Sequence, residues 1–220
     1  MLYRSGMLCI AVLFSINALA DAPRVVMDTS MGKITVELNR DKAPVTVKNF
    51  LSYVDKGAYD GTLFHRVIAG FMIQGGGMTR DMKALPEGDT IHNEADNGLK
   101  NTEGTIAMAR TEEIDSAARQ FFINVHDNVH LDHSDQSCTR KEMKDTLAAR
   151  ARGLYKPVTC KSFGYAVFGH VVKGMDVVHA IERVKTSSVE GYSDVPVIPV
   201  IIKSIRRVAP TAGGAPAGGT

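Results

Sequence analysis

The sequence predicts a mainly β domain that carries two amphipathic helices. Residues Leu63 to Ile68 and Arg119 to Val125 both alternate with the two-residue period of a half-buried strand. Between them in character, Val47, Phe50, Leu51 and Val54 recur at i, i+3, i+4 and i+7, which puts four apolar side chains on one helical face. The 220 residues carry a formal net charge of +2, so the charge balance gives no reason to expect nucleic acid or an anionic membrane as partner.

Residues 1–20 have the layout of an export signal, with Arg4 ahead of an apolar run from Met7 to Ala18 and Ala18-Leu19-Ala20 as the cleavage site. The run is shorter than the ~20 residues that span a bilayer, which argues against a membrane anchor. Cleavage removes Arg4 and Cys9, lowers the net charge from +2 to +1, and leaves 200 of the 220 residues, enough for one domain with a sizeable core. Cys138 and Cys160 remain as an even pair in an exported chain and are expected to form a disulfide.

From Arg24 to Leu38 the chain has the form of a hairpin turned at Thr29-Ser30-Met31-Gly32. Pro44 suits the first turn of the helix that follows, and Gly57 stops it. In the stretch Gly61 to Gly77, alternation puts Phe64, Arg66 and Ile68 on one face and Leu63, His65 and Val67 on the other. Ala69-Gly70 breaks the run, after which Met72 and Gln74 share a face. On its own this is an arginine snorkelling from a strand and a glutamine at an edge, with no nucleophile and no paired carboxylates.

Met78 to Lys100 is rich in charge, Gly and Asn and is expected to be a surface loop. Gly104 to Ala109 returns to strand, Thr111 to Ala118 is another loop, and the next strand sets Gln120 and Phe122 on one face, Phe121 and Ile123 on the other. A second helix is expected over Gly174 to Val184, where Val177, Ile181 and Val184 share a face and Asp176 lies near the N-terminus. Val197 to Val208 forms a last strand. Ala209 to Thr220 contains only Ala, Gly, Pro and Thr, cannot bury a face, and is expected to be a disordered tail. No internal repeat is visible.

The run F-H-R-V-I-x-G-F-M-I-Q-G-G, followed by G-T-I-A-M-A and Q-F-F-I-N, resembles the cyclophilin family of peptidyl-prolyl isomerases from about Val25 to Val208. The resemblance implies a closed, eight-stranded antiparallel β-barrel capped by the two helices, a domain of residues 21–208. It implies a non-covalent isomerase needing no cofactor and no metal. Arg66 is the implied catalytic donor. Phe71, Met72, Phe122 and Leu131 are the implied apolar floor, with Gln74 on the substrate backbone. Backbone groups near Ala109 and Arg110 would pair with residues before proline, and Gln120 and Tyr165 complete the implied substrate-binding set.

The chain departs from that family in several places. About 29 residues, Ser134 to Ser162, are inserted before the strand Phe163 to Gly169, and Met143, Leu147 and Ala151 give the insert a helical period over Arg140 to Arg152. Closing a loop of about 22 residues between Cys138 and Cys160 would contribute roughly 3 kcal/mol. His126, His130 and His133, followed by Cys138, would suit zinc on a helix, but the resemblance makes this stretch a loop and no metal is expected. His130 stands where well-known eukaryotic members have Trp, so cyclosporin binding is expected to be weak; Tyr165 stands where they have His and is similar to the bacterial exported branch. Arg119 is expected to be a solvated surface residue, the functional alternative being that it reaches a neighbouring subsite and favours acidic residues ahead of proline.

These readings together predict a peptidyl-prolyl cis-trans isomerase of the periplasm that assists folding of exported proteins. Its partners would be proline-containing peptides and unfolded exported chains, with no nucleic acid, no membrane after signal cleavage, and a monomeric state. The alternative is a proline-motif binding module or holdase chaperone whose catalysis is incidental.

Overall fold

The structure is a computed structural model that describes residues 22–134, 148, 151–152 and 163–209. The expected signal, the Cys138–Cys160 pair, most of the insert and residues 210–220 of the tail lie outside the described residues. In chain order the strands are β1 (Arg24–Thr29), β2 (Gly32–Leu38), β3 (Thr62–Ile68), β4 (Met72–Gly75) and β5 (Thr105–Met108). They continue with β6 (Phe121–Asn124), β7 (Val167–Lys173), β8 (Thr186–Val189), β9 (Tyr192–Pro196) and β10 (Val200–Arg207). Helix α1 spans Pro44–Asp55 and α2 spans Met175–Glu182.

Eight strands close an antiparallel barrel in the order β1-β10-β3-β4-β6-β5-β7-β2, while β8 and β9 form a separate two-stranded hairpin. Alternation fills the barrel: Val25 and Met27 of β1, Ile34 and Val36 of β2, Ile106 of β5 and Ile202 and Ile205 of β10 are all fully buried in one cluster. Val47, Phe50, Leu51 and Val54 of α1 join it, as do Val178 and Ile181 of α2. Phe50 meets the Phe121 ring edge-on at 5.6 Å and lies 5.2 Å from Phe168, so aromatic contacts seat the helix on the barrel.

Two local features depart from the sequence reading. The residue before α1 is Ala43, which offers no side-chain cap. Glu94 supplies one from across the chain, accepting from Val45 N at 3.0 Å, Thr46 N at 2.8 Å and Thr46 Oγ1 at 2.7 Å. Asn93, Glu94 and Ala95 are therefore buried, and Met78 to Lys100 is not simply a surface loop.

The second departure is a bulge. Phe64 pairs with Gly75 and Arg66 with Gln74, so His65 is an extra residue in β3. Phe64 and Val67 consequently both enter the main core, and Arg66 does not share a face with Phe64 as strict alternation requires. The bulge re-aims Arg66 to the outer wall of the barrel.

Candidate functional site

On β3, β4, β6 and β5 the pairs Arg66↔Gln74, Gln74↔Phe122 and Phe122↔Ala107 set four side chains in one row across the sheet. Their neighbours Ile73, Phe121, Ile123 and Ile106 point into the barrel, so the row stands on the outside. Met72, Ala107, Phe122, Leu131 and Val167 form a separate apolar cluster on that wall, flanked by Ile68, Phe71, Ala109 and Tyr165.

A cleft of about 100 Å³ opens over this cluster, lined by Arg66, Phe71, Met72, Gln74, Ala109, Arg110, Phe122, Leu131 and Tyr165. Gln120 does not line it; it lines an adjoining cleft of about 200 Å³ with Glu87, Thr111, Ser116 and Ala118, sharing Gln74, Ala109 and Arg110. The structure thus gathers nine of the ten residues proposed from the sequence in one place and sets the tenth next door.

Arg66 is half exposed at the rim, its side chain 43% accessible, so its charge is not neutralised by burial against a carboxylate. Nη1 reaches Gln74 Oε1 at 3.4 Å, and Nε lies 3.8 Å from Asp194 Oδ2 on β9. Gln74 Nε2 donates to Gln120 Oε1 at 3.0 Å, and Gln120 Nε2 donates to Glu87 Oε1 at 2.9 Å. The amide of Gln120 passes against Gly77, where a Cβ would come within 2.5 Å of it.

The apolar walls are held by their own partners. Tyr165 meets Phe122 edge-on at 5.7 Å, and the Arg110 guanidinium sits 4.8 Å over the Tyr165 ring while Nε donates to Gly164 O at 2.9 Å. His130 stacks on Phe71 at 5.5 Å, and His133 Nδ1 is 2.6 Å from Phe163 O, so the two histidines serve different contacts.

A buried set of asparagines, which sequence reasoning missed, positions two walls of the cleft. Asn128 Nδ2 donates to Phe71 O at 2.8 Å and to Asn124 Oδ1 at 2.7 Å; Asn124 Nδ2 donates to Asn101 Oδ1 at 3.2 Å. Asn101 in turn donates from Nδ2 to Leu131 O at 3.1 Å. The one available sequence signal was Asn124 ending the apolar strand F-F-I-N, where a buried amide demands partners.

Arg119 also differs from expectation. It is 5% exposed, donating to Gly76 O, Pro86 O and Ala58 O, and belongs to neither cleft.

Comparison with known proteins agrees with the barrel fold. Residues 24–207 match the family described as cyclophilin type peptidyl-prolyl cis-trans isomerase/CLD. Peptidyl-prolyl cis-trans isomerase A of Dickeya dadantii is 47% identical over 191 residues, covering 87% of each chain. Peptidyl-prolyl cis-trans isomerase B of Escherichia coli is 46% identical over 181 residues, covering 82% of this chain and 97% of its own. The fold is also that of a cyclophilin type isomerase of Cryptosporidium parvum, with a TM-score of 0.60 at 24% identity over 84% of this chain and 99% of that one. With every strand of the barrel inside the match, the chain belongs to the cyclophilin type peptidyl-prolyl cis-trans isomerase family.

Proposed function

We propose that this chain accelerates rotation about X-Pro peptide bonds at the Arg66 cleft, and that its clients are exported proteins folding in the periplasm. The uncatalysed rotation crosses a barrier of about 18–20 kcal/mol set by amide resonance. No bond is made or broken, so catalysis reduces to holding the twisted amide better than either planar form. Twisting takes the nitrogen lone pair out of conjugation and makes it an acceptor. Arg66 supplies a permanently charged donor beside it, and Phe71, Met72, Phe122 and Leu131 grip the proline ring so that the carbonyl side turns.

The observation that carries this reading is the cross-strand row Arg66–Gln74–Phe122–Ala107, which sets a guanidinium, an amide and an apolar floor side by side. The Cryptosporidium parvum protein was determined in the presence of the dipeptide Ala-Pro, which supports a proline-bearing ligand for the related cleft here. Export rests on the signal-like residues 1–20 and on the Cys138 and Cys160 pair, which favours an oxidising compartment.

Isomerisation of an uncharged X-Pro tetrapeptide tests the chemistry. Arg66→Ala is expected to lower kcat/KM by about 100- to 1,000-fold, the usual loss for one transition-state donor, with unfolding midpoint unchanged. Full activity in that variant would refute the assignment. N-terminal sequencing of the protein from a periplasmic fraction tests export, the expected first residue being Asp21.

A further inference from the structure

Three hydrogen bonds run in one direction away from the proposed catalytic arginine: Arg66 Nη1 to Gln74 Oε1, Gln74 Nε2 to Gln120 Oε1, and Gln120 Nε2 to Glu87 Oε1. Each glutamine can be turned over, exchanging its oxygen for its NH₂, and in a chain of two amides nothing internal selects one sense. The ends select it. A guanidinium only donates and a carboxylate only accepts, so the direction observed is the one in which every donor meets an acceptor. Turning both amides over would press the NH₂ of Gln74 against Nη1 of Arg66, donor against donor. The path is also confined in space, because the Gln120 side chain runs against Gly77 with no room for a Cβ between them.

We propose that Glu87 is a positioning residue for the isomerase reaction: acting through Gln120 and Gln74, its carboxylate sets the sense of the relay and thereby the orientation of the Arg66 guanidinium over the cleft. The inference rests on the reading of Arg66 as the donor to the twisted amide. Asp194 meets the same guanidinium at Nε, 3.8 Å away, so the relay acts at a different nitrogen, Nη1. Glu87 itself is exposed and lines only the adjoining cleft, which separates its effect from packing of the apolar floor.

The test is a double-substitution cycle, read as kcat/KM on a tetrapeptide of uncharged residues. Glu87→Lys replaces an obligate acceptor by an obligate donor and so favours the reversed relay. It is expected to lower kcat/KM by about fivefold, the worth of one net hydrogen bond, with the unfolding midpoint unchanged. In a Gln74→Glu background the sign should invert. A carboxylate at position 74 accepts from Arg66 and from Gln120 alike, and the reversed Gln120 now suits it, so Glu87→Lys should leave activity unchanged or raise it. An equal loss in both backgrounds would show that only the charge of Glu87 matters and would overturn the proposal, as would no loss in the native background. Should Gln74→Glu be too slow to assay, the ¹⁵Nη1 resonance of Arg66 gives the second measurement. It should shift in Glu87→Lys and stay in Glu87→Gln, which keeps an acceptor oxygen; an unmoved resonance in the lysine variant overturns the relay. A failure of Arg66→Ala to reduce turnover would instead sink the parent assignment, so the two failures are distinguishable.

Discussion

Arg119 carries a permanently charged group into a wall where it is 5% exposed, and it is stabilised there by backbone. Its Nε donates to Gly76 O at 2.8 Å, Nη1 to Pro86 O at 3.0 Å and Nη2 to Ala58 O at 2.7 Å, joining three separate segments. The Tyr53 and Tyr59 rings lie 5.4 and 5.9 Å from the guanidinium, and Tyr59 Oη donates back to Arg119 O at 2.8 Å. Alternation correctly turned this side chain away from Gln120. What alternation does not carry is whether a remote loop, here Pro86, comes back to cover the face so exposed. Arg119→Ala strands the buried carbonyl of Gly76 at a cost of about 1–3 kcal/mol, while the part-buried carbonyls of Pro86 and Ala58 can turn to water, so urea unfolding should show a loss of at least about 1 kcal/mol. Arg119→Lys should fall between, since one ammonium cannot fork to three acceptors. The preference among peptides bearing Glu, Ala or Lys ahead of proline should not change, because the guanidinium has no reach left for a substrate.

At the scale of elements, what the sequence disclosed was whatever repeats. The apolar period placed α1 and α2 within two residues of their observed ends, and the alternation at Phe121–Asn124 put Phe122 on the cleft side and Phe121 and Ile123 in the core. Legibility stopped where an element is defined by something distant or by a break in period. The bulge at His65 inverts the expected faces of β3, and no residue type marks it. The hairpin β8–β9, which brings Asp194 to Arg66, is short and mostly exposed, and its buried residues, Val195 and Pro196, are adjacent and make no alternating face to reveal it. The cap of α1 was invisible for the same reason: Glu94 lies 48 residues from Thr46. Its removal offers a clean measurement. Glu94→Ala withdraws acceptors from Val45 N, Thr46 N and Thr46 Oγ1 and is expected to cost about 1–2 kcal/mol, as lost N-caps do. Glu94→Asp, too short by one methylene, should recover only part of that. A stability change under a few tenths of a kcal/mol for Glu94→Ala would show that α1 is held by its Phe50 face alone.

Over the whole molecule, two histidines set opposite limbs of the stability curve. His65 is 5% exposed, and its Nδ1 has no hydrogen-bond partner among the described residues. Burial, reinforced by the charge of Arg66, pulls its pKa from the ordinary 6.5 down to about 4, although a backbone hydrogen bond with Leu63 works the other way. The unfolded chain therefore binds this proton more readily than the folded one. Stability from His65 is fully present above pH 6.5 and is lost as pH falls toward 4, by about 3 kcal/mol in all. His179 behaves in reverse. Its Nδ1 is 2.9 Å from Glu182 Oε2 and its Nε2 is 3.1 Å from Glu103 Oε1, and the hydrogen bond to Glu182 above all raises its pKa. Its contribution is complete below pH 6.5 and is lost as pH rises through the raised value, a smaller effect because the side chain is 31% exposed. The same Glu182 also accepts from Gly70 N at 2.7 Å, which ties α2 to the turn between Arg66 and Phe71. Asp55 and Asp60, held below their ordinary 3.8 by Arg207 and Arg206, act only in still more acid solution. Chemical denaturation between pH 4 and 9 should accordingly give a maximum near pH 6.5. His65→Gln should flatten the acid limb whatever it does to absolute stability, and His179→Gln should flatten the alkaline one; a curve whose shape survives both substitutions would place the titrating groups elsewhere.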